Sequence, residues 1–458
     1  MIEGLKPYAN YKESGSKWLG AVPAKWEVRN FRTIISKRAE RDHPELPLLS
    51  VAREKGVFVR SMTDADENHN VIPDDLTNYK VARAGNLVIN KMKAWQGSMG
   101  IAPCDGIVSP AYFVFDFRIA NRAFGQCLLR SKPYVAHFAQ ASDGVRIGQW
   151  DLSIPGMRQI PVLVPSDDEQ AAIVRFLDHA NRKIDGWVRA KRKLIGLLNE
   201  QKQAIIHRAV TRGLQTDVSL KPSGIPWLGD IPKHWKLVPN RAFLKTRKEL
   251  VGERSADYTL LSLTLRGVIA RDMVNPTGKF PADFNTYQKV TPGDLVFCLF
   301  DIDETPRAVG ISRLTGMITG AYTVFESCAP LMAEYLHLFY LAMDEEKCLK
   351  PLYTGLRKTI SKSRFLGTKT PIPPDFERSA IITHVSERTA HLNTAIARTE
   401  REIGLMQEYR TRLTADIVTG KLDVREAAAK LPPAPPDTVE DPSATEPLED
   451  ADLEEIEV

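Results

Sequence analysis

The sequence has few of the features that would support a disulfide framework or a structural metal site. Only five cysteines occur in 458 residues, and none of them belongs to a CxxC pair. The two halves of the chain do not place cysteine at matching positions. This usage argues against a disulfide framework or a zinc site, and it is typical of a protein in a reducing cytoplasm.

Long apolar runs are also missing. No stretch approaches the roughly 20 apolar residues that a membrane span needs. The N-terminal sequence MIEGLKPYANYKESG lacks the apolar core of a signal peptide. The shares of hydrophobic and charged residues, 43% and 26%, are those of an ordinary globular protein. We therefore expect a soluble cytoplasmic protein that does not associate with a membrane.

Familiar catalytic signatures are absent as well. The sequence has no GxGxxG, GxxxxGK[ST], HExxH or GxSxG pattern. His384 and His391 are one heptad apart, but no acidic residue accompanies them as a metal ligand. Asp301, Asp303 and Glu304 form an acidic turn that could hold a metal for phosphodiester cleavage, yet the matching segment of the first half has no acid. We expect a chain without catalytic residues, metal or cofactor.

Charge is unevenly distributed along the chain. Lysine and arginine are absent after Lys430, whereas ten of the 57 acidic residues lie beyond it. The preceding part carries all 62 basic residues against 47 acidic ones. A basic body favours a polyanionic partner such as nucleic acid, although a generically basic protein remains an alternative. The acidic, proline-rich segment 431–458 is expected to be disordered.

The most informative feature is an internal repeat. Residues 12–26 (KESGSKWLGAVPAKW) and 221–235 (KPSGIPWLGDIPKHW) agree at eight of fifteen positions at one fixed offset. The similarity continues through both halves: Ile195-Gly196-Leu197-Leu198, for example, returns as Ile403-Gly404-Leu405-Met406. A period of about 209 residues is far longer than that of solenoid or propeller repeats. The chain is therefore a tandem duplication of one domain.

Each half consists of a mixed part followed by a long helical part. Short apolar runs bounded by Gly, Pro and Asn predict strands of an α+β globule. A capping-box pattern at Ser166–Glu169 opens a seam with 4-3 spacing that runs from Ile173 through Leu194 to Ile205, and a similar seam runs from Ile381 to Leu413. Helices of about 45 residues would be about 67 Å long. We expect them to pair antiparallel as a coiled-coil stalk, with one globule at each end.

Two pairs of segments keep the same frame in both halves but differ in chemistry. The first pair follows the strand-like GNLV and GDLV runs, and the second contains a glycine turn before the strand that closes each globule. Amide and basic side chains in such loops can contact bases and phosphates, although Trp95 as a core residue and the lysines as solvated charges remain an alternative. The predicted DNA contacts are Asn90, Lys91, Lys93, Trp95, Gln96, Arg146, Gln149, Arg307, Arg357, Lys358, Lys362 and Arg364.

These motifs resemble the specificity subunits of type I restriction-modification systems. The resemblance covers the chain from about Lys12 to Gly420. It is carried by the repeated W-L-G-x-x-P-x-x-W pattern, by the two-globule, two-helix layout, and by the P-x-x-x-E-Q-x-x-I pattern that starts at Pro165. The second copy of the latter pattern departs from the family because Arg378 replaces the glutamine, although Asp375 can still cap the helix.

The resemblance implies a non-catalytic subunit that recognises a split DNA site. Each globule would read one half of an asymmetric double-stranded target, and the helices would set the spacer. Two DNA adenine methyltransferase (modification) subunits and then motor-nuclease (restriction) subunits would join it. The implied domains are target-recognition domain 1 (1–165), a central spacer helix (166–220), target-recognition domain 2 (221–375), a distal spacer helix (376–430) and the tail (431–458).

Three alternatives remain open at this point. The chain could be the specificity component of a fused restriction-methylation enzyme, which would use the same domains with a different partner. It could be a coiled-coil adaptor that does not touch DNA, and binding that is insensitive to salt would favour that view. It could also be a nuclease that uses Asp301, Asp303 and Glu304.

Overall fold

The fold is an α+β arrangement in two compact units. The computed structural model describes residues 5–60, 73, 75–146, 149–271, 284–302, 304–354 and 358–433. The first unit comprises the described residues of Met1–Lys191 and Arg401–Pro436, and the second those of Arg192–Glu400. The expected disorder of the tail concerns residues that lie almost wholly outside this description.

The first repeat supplies fourteen of the described strands and five helices. The strands are β1 (Tyr11–Glu13), β2 (Ala21–Pro23), β3 (Glu27–Asn30), β4 (Ile35–Arg38), β5 (Leu49–Ala52), β6 (Gly56–Val59), β7 (Lys80–Ala82), β8 (Leu87–Asn90), β9 (Met99–Ile101), β10 (Gly106–Val108), β11 (Tyr112–Phe117), β12 (Ser142–Arg146), β13 (Gln149–Leu152) and β14 (Pro161–Val164). The helices are α1 (Phe31–Ile34), α2 (Arg122–Leu129), α3 (Lys132–Gln140), α4 (Ile154–Arg158) and α5 (Asp167–Arg212).

The second repeat follows the same order with fewer elements among its described residues. Its strands are β15 (Leu220–Pro222), β16 (Asp230–Pro232), β17 (Lys236–Pro239), β18 (Leu244–Thr246), β19 (Leu261–Thr264), β20 (Gly267–Ala270), β21 (Gln288–Val290), β22 (Leu295–Phe297), β23 (Val309–Ile311), β24 (Gly316–Ile318), β25 (Thr323–Ser327) and β26 (Lys369–Ile372). Its helices are α6 (Pro330–Glu345), α7 (Lys362–Gly367) and α8 (Asp375–Val418), and α9 (Arg425–Ala429) follows.

Each unit is built on a four-stranded antiparallel sheet. The strand order is β4-β11-β8-β9 in the first unit and β18-β25-β22-β23 in the second. One central strand of each sheet, β8 or β22, is apolar on both faces, as its run of Val, Leu, Ile and Phe predicts, and Leu87, Val88, Leu295 and Val296 are fully buried. The duplication inferred from the sequence is therefore also a duplication of sheet topology.

Each unit also contains part of both long helices. α5 has 46 residues and α8 has 44. In the first unit Lys191 pairs with Glu402 at 2.8 Å, and Asp185 pairs with Arg410. The position on one helix rises while that on the other falls, so the helices run antiparallel there. In the second unit the last turns of α5 and the first turns of α8 share one core cluster.

The predicted helical seam matches the buried residues at the start of α5 and shifts along it. Ile173, Leu177 and Ile184 are buried, but Leu194 is 40% exposed and Ile206 is buried instead. An α-helix has 3.6 residues per turn, so a strict heptad seam drifts around its surface by about 20° per heptad. The expected 4-3 spacing is wrong for the second half of this helix for that reason.

The repeated tryptophan motif packs against the C-terminal end of a long helix in each unit. β1 and β2 form a hairpin, and the Trp26 that follows is fully buried beside Gly420 at the end of α8. In the second unit β15 and β16 form the same hairpin, and Trp235 is buried beside Gly213 at the end of α5. Both glycines have positive φ, +78° and +76°, which terminates a helix without steric strain.

The glutamate of the P-x-x-x-E-Q-x-x-I pattern makes a tertiary contact. The Tyr8 hydroxyl donates a 2.6 Å hydrogen bond to Glu169, which is buried. Burial and this carboxylate raise the pKa of Tyr8. In the second unit the matching Glu377 lies 2.7 Å from the ring nitrogen of His234. The start of each long helix is thereby joined to the segment around the tryptophan motif.

Other sequence expectations concern membrane and metal sites. No helix in the described part of the chain is long and apolar enough to cross a membrane. His384 and His391 are both exposed on α8. Within the described ranges, no group of three or more His, Cys, Asp or Glu residues is placed to hold a metal ion. Asp303, one member of the acidic turn, lies outside those ranges.

Candidate nucleic-acid interface

In the first unit, the structure brings together the two segments that were singled out from the sequence. The backbone N–H of Leu152 donates to the carbonyl of Lys91 at 2.9 Å, which joins the β13 strand to the loop after β8. Lys91 also forms a 2.7 Å ion pair with Asp151. The rings of Trp95 and Trp150 meet edge to face, with centroids 5.1 Å apart. The loop and the β12–β13 hairpin therefore form one continuous surface.

The predicted contacts on this loop differ in accessibility. Asn90 is 5% exposed, and its side-chain oxygen accepts a hydrogen bond from the Met92 N–H, so it shapes the loop. Lys93 is exposed, and Met92 is 45% exposed. Trp95 and Gln96 are half-buried. The accessible groups of the loop are thus a cation, a thioether and a partly exposed aromatic ring.

The hairpin places Arg146 and Gln149 opposite each other. Their backbones pair at the ends of β12 and β13 after a shift in strand register. Their side chains and the tip of the hairpin, residues 147 and 148, lie outside the described part. A hairpin of this kind, beside a loop with an exposed lysine, can enter a DNA groove as a two-stranded ribbon.

The second unit joins the matching segments in the same way. The Ile360 N–H donates to the Leu299 carbonyl at 2.7 Å, as Leu152 does to Lys91 in the first unit. Phe300 and Thr359 form an isolated antiparallel bridge. Lys358 pairs with Glu304 at 2.6 Å across the two segments. The frame is shared, while the tryptophan pair of the first unit has no counterpart here.

The remaining predicted contacts of the second unit lie in different surroundings. Lys362 and Arg364 are exposed on α7. The side chain of Arg307 is only 12% exposed and faces α6, with a terminal nitrogen 3.8 Å from Asp344 and 3.6 Å from Glu345. This places Arg307 in an ion-pair network of the core. Arg357 lies outside the described residues.

Three further cations of the first unit lie near this surface and were not found by sequence analysis. Lys80 on β7 donates a 2.6 Å hydrogen bond to the carbonyl of Tyr112, whose backbone pairs with Asn90. Burial lowers the pKa of Lys80, and repulsion from Arg41, Lys37 and Lys91 lowers it further. Lys80 is about 40 residues from Lys37 and Arg41 in sequence and comes near them only through strand pairing. Apart from basic residues in strand-like runs, the sequence holds no signal for the cluster.

No protein-family model and no curated protein matches the sequence. A chain from a structure on complex assembly and conformational transition of the type I R-M system matches with a TM-score of 0.57 and 12% identity, covering 87% of this chain and 98% of that chain. This chain shares its fold. The α+β fold class predicted from the sequence is confirmed, and so, at the level of fold, is the resemblance to type I restriction-modification proteins.

Two further solved structures match over a similar range. The HsdS subunit from Thermoanaerobacter tengcongensis matches with 14% identity and a TM-score of 0.38, over 87% of this chain and 96% of that one. The type I restriction-modification S subunit from M. genitalium matches with 9% identity and a TM-score of 0.33, over 86% and 96%.

Proposed function

We propose that this chain is the DNA-sequence-recognition subunit of a type I restriction-modification complex. Each unit would read one half of an asymmetric, bipartite site in double-stranded DNA. The chain would bind in the cytoplasm, without a cofactor and without catalysing a reaction itself. Its partners would be two DNA adenine methyltransferase subunits and the motor-nuclease subunits. The alternative of a fused restriction-methylation enzyme uses the same domains and differs in the partner.

One observation carries this proposal: both units present the same backbone frame with different side chains. In the first unit the Leu152 N–H donates to the Lys91 carbonyl, and in the second unit the Ile360 N–H donates to the Leu299 carbonyl at the matching position. On that frame the first unit places Trp95 beside Trp150, and the second places Lys358 beside Glu304. A duplicated scaffold with divergent surface loops suits two readers of different sequences, because base contacts specify a site.

The assignment of domains follows the repeats. Residues 1–165 and 221–375 would be the target-recognition domains, and 166–220 and 376–430 the spacer helices. Linking two weak readers through a stiff element makes the second engagement intramolecular and raises the overall affinity. The predicted contacts from Asn90 to Arg364 stay proposals. Among the described side chains, Lys93, Lys358, Lys362 and Arg364 are exposed, and Lys91, Trp95 and Gln96 are half-buried.

The long helices offer a pair of equivalent surfaces for two copies of one partner. Leu197 on α5, in the second unit, is 53% exposed, and Leu405 on α8, in the first unit, is 60% exposed. They occupy matching positions of the duplication. Each follows a glycine, Gly196 or Gly404, whose missing Cβ would meet no atom within 4 Å. These helix surfaces are therefore our candidates for docking the methyltransferase subunits.

The experiment that tests this function is to map methylated adenines with and without the chain. The chain is co-expressed with the adenine methyltransferase of its system, and genomic DNA is sequenced for methylation. One split, asymmetric motif that depends on the chain is the expected result. Copurification without any motif would contradict the recognition role, and failure to copurify would favour the adaptor alternative.

Single substitutions on each frame should affect methylation of a target plasmid. Trp95→Ala removes an aromatic contact from the first unit, and Lys358→Ala removes a cation from the second. We expect each to lower target methylation about 5- to 150-fold, as losses of about 1–3 kcal/mol per base contact imply. The methylated sequences should relax in one half-site for Trp95→Ala and in the other for Lys358→Ala. Relaxation of the same half-site by both variants would contradict the assignment of one unit to each half.

A further inference from the structure

The cation cluster of the first unit can be compared, position by position, with the second unit. Lys80 pairs with Val108 in the β7–β10 ladder, and Gln288 pairs with Ile318 in the matching β21–β24 ladder. The Lys80 ammonium donates to the carbonyl of Tyr112 at 2.6 Å. The Gln288 amide donates to the carbonyl of Tyr322 at 2.9 Å. The two side chains perform the same structural task, so the hydrogen bond does not require the positive charge.

For two other cations of the cluster, backbone pairing identifies the equivalent residue in the second unit. Lys37 pairs with Phe115 in the four-stranded sheet, and Thr246 pairs with Phe325 at that position of the second unit. Lys91 accepts the backbone hydrogen bond that Leu299 accepts in the second unit. In both cases the second unit has an uncharged side chain.

The fourth cation, Arg41, is replaced in the same way. It follows Glu40, whose carbonyl accepts from the N–H of Val81, the residue after Lys80. In the second unit Glu249 accepts from Lys289, the residue after Gln288, and Leu250 follows Glu249. Leu250 is 59% exposed. Lys80 and the three cations around it are thus replaced by neutral residues in the second unit: Thr246, Leu250, Gln288 and Leu299.

Little in the described surroundings neutralises the cluster. Lys91 has Asp151 as its partner, at 2.7 Å. Among the residues that the structure describes, no carboxylate lies within ion-pair distance of Lys37 or Arg41, and both are exposed. Burial lowers the pKa of Lys80, and repulsion from Arg41, Lys37 and Lys91 adds to that effect. Uncompensated like charges destabilise a fold, and an anion that binds among them relieves the repulsion.

We infer that Lys37, Arg41 and Lys80 form a DNA-phosphate site of the first unit that the second unit lacks. This inference rests on the proposed function and adds a division of roles to it. The first unit would supply the salt-sensitive anchoring to the backbone near this surface. In the second unit Thr246, Leu250 and Gln288 occupy these three positions and would not contact phosphate there, while the exposed Lys248 lies between the first two.

The test measures how the affinity of the full chain for DNA depends on salt. A labelled duplex of random sequence is titrated with protein in KCl between about 50 and 200 mM, and the logarithm of the affinity is plotted against that of the salt concentration. Lys80→Gln and Lys37→Thr give the first unit the residues of the second. Each should make the negative slope shallower by about 1, because one phosphate contact is lost. Lys17→Gln, at an exposed lysine in the β1–β2 hairpin, is the matched control and should leave the slope unchanged.

The reverse exchange provides an independent arm. Thr246→Lys combined with Leu250→Arg adds cations at half-buried and exposed positions of the second unit and should steepen the slope by up to about 2. If Lys80→Gln and Lys37→Thr behave like Lys17→Gln while the wild-type protein binds DNA, the inference is overturned and the proposed function stands. If the wild-type chain shows no salt-dependent DNA binding, the proposed function itself fails. Circular dichroism of each variant verifies that it is folded.

Discussion

Replacing Gly420 with alanine is expected to destabilise the first unit by about 2–5 kcal/mol. Two independent costs contribute. Gly420 has a φ of +78°, a region in which a Cβ costs about 1–2 kcal/mol. The new Cβ would lie 2.4 Å from Cδ of Pro23 and 3.1 Å from Cζ3 of Trp26, and overpacking of this kind costs about 1–3 kcal/mol.

The clash at Gly420 cannot be relieved by a small movement of a flexible side chain. The Pro23 side chain is a rigid ring held in the β2 strand, and Trp26 is fully buried, so neither can easily move away. At Gly213, the matching glycine of the second unit, the nearest atom would be a carboxylate oxygen of Glu377 at 2.8 Å, with the Trp235 ring at 3.5 Å. A carboxylate at the end of a flexible chain can move. We therefore expect Gly213→Ala to be the milder of the two substitutions.

Urea unfolding monitored by tryptophan fluorescence measures the effect, because Trp26 lies at the site. Gly15→Ala is the matched control: its φ is +76°, but a Cβ there would meet no atom within 4 Å. It should cost only the conformational part, about 1–2 kcal/mol. Equal losses for Gly15→Ala and Gly420→Ala would show that the contact between the tryptophan motif and the helix end does not matter for stability.

Much of the fold could be predicted because its determinants are local. The apolar run at Leu87–Asn90 predicts a buried strand, and the breakers Pro165 and Gly213 bound the first long helix. The repeat shows that both halves fold alike. The structural task of the motif was not accessible in this way, because Trp26 and Gly420 are separated by nearly the whole length of the chain.

The candidate site could be predicted only in part, for the same physical reason. The loop at Lys91 and the segment at Asp151 were singled out separately, and only the fold shows that they touch. Lys37 and Lys80 belong to different strands and meet through pairing with other strands. The surroundings of Arg307 were likewise hidden, since its acidic neighbour Asp344 lies on a helix 37 residues later. The bases that each unit reads depend on side-chain geometry toward DNA and stay a prediction.

Substituting Leu197 and Leu405 should remove the partner subunits one at a time. In the proposed complex each leucine anchors one methyltransferase copy, so Leu197→Asp and Leu405→Asp should each reduce the stoichiometry from two copies to one. The double variant should bind none. Loss of a central apolar anchor costs about 2 kcal/mol or more, which weakens binding at least about 30-fold. Native mass spectrometry of the co-expressed complex measures the copies directly.

The matched control is Leu265→Asp, which changes a leucine that is 46% exposed in the turn between β19 and β20 and has no part in the helix surfaces. It should leave two copies bound, and DNA binding by the chain alone should persist in all variants. If Leu197→Asp and Leu405→Asp also retain two copies, the helix surfaces are not the docking sites.

Replacing the glycines beside these leucines with alanine should affect folding and docking in opposite directions. A glycine in a helix interior is about 1 kcal/mol less favourable than alanine, and no other described residue occupies the space of a Cβ at Gly196 or Gly404. Gly196→Ala and Gly404→Ala should therefore stabilise the free chain. If a partner backbone approaches closely at these points, the same substitutions should weaken its binding. Docking of a partner would then explain why both long helices have a glycine at this matching position. The free chain gives no reason for it, because glycine is unfavourable inside a helix.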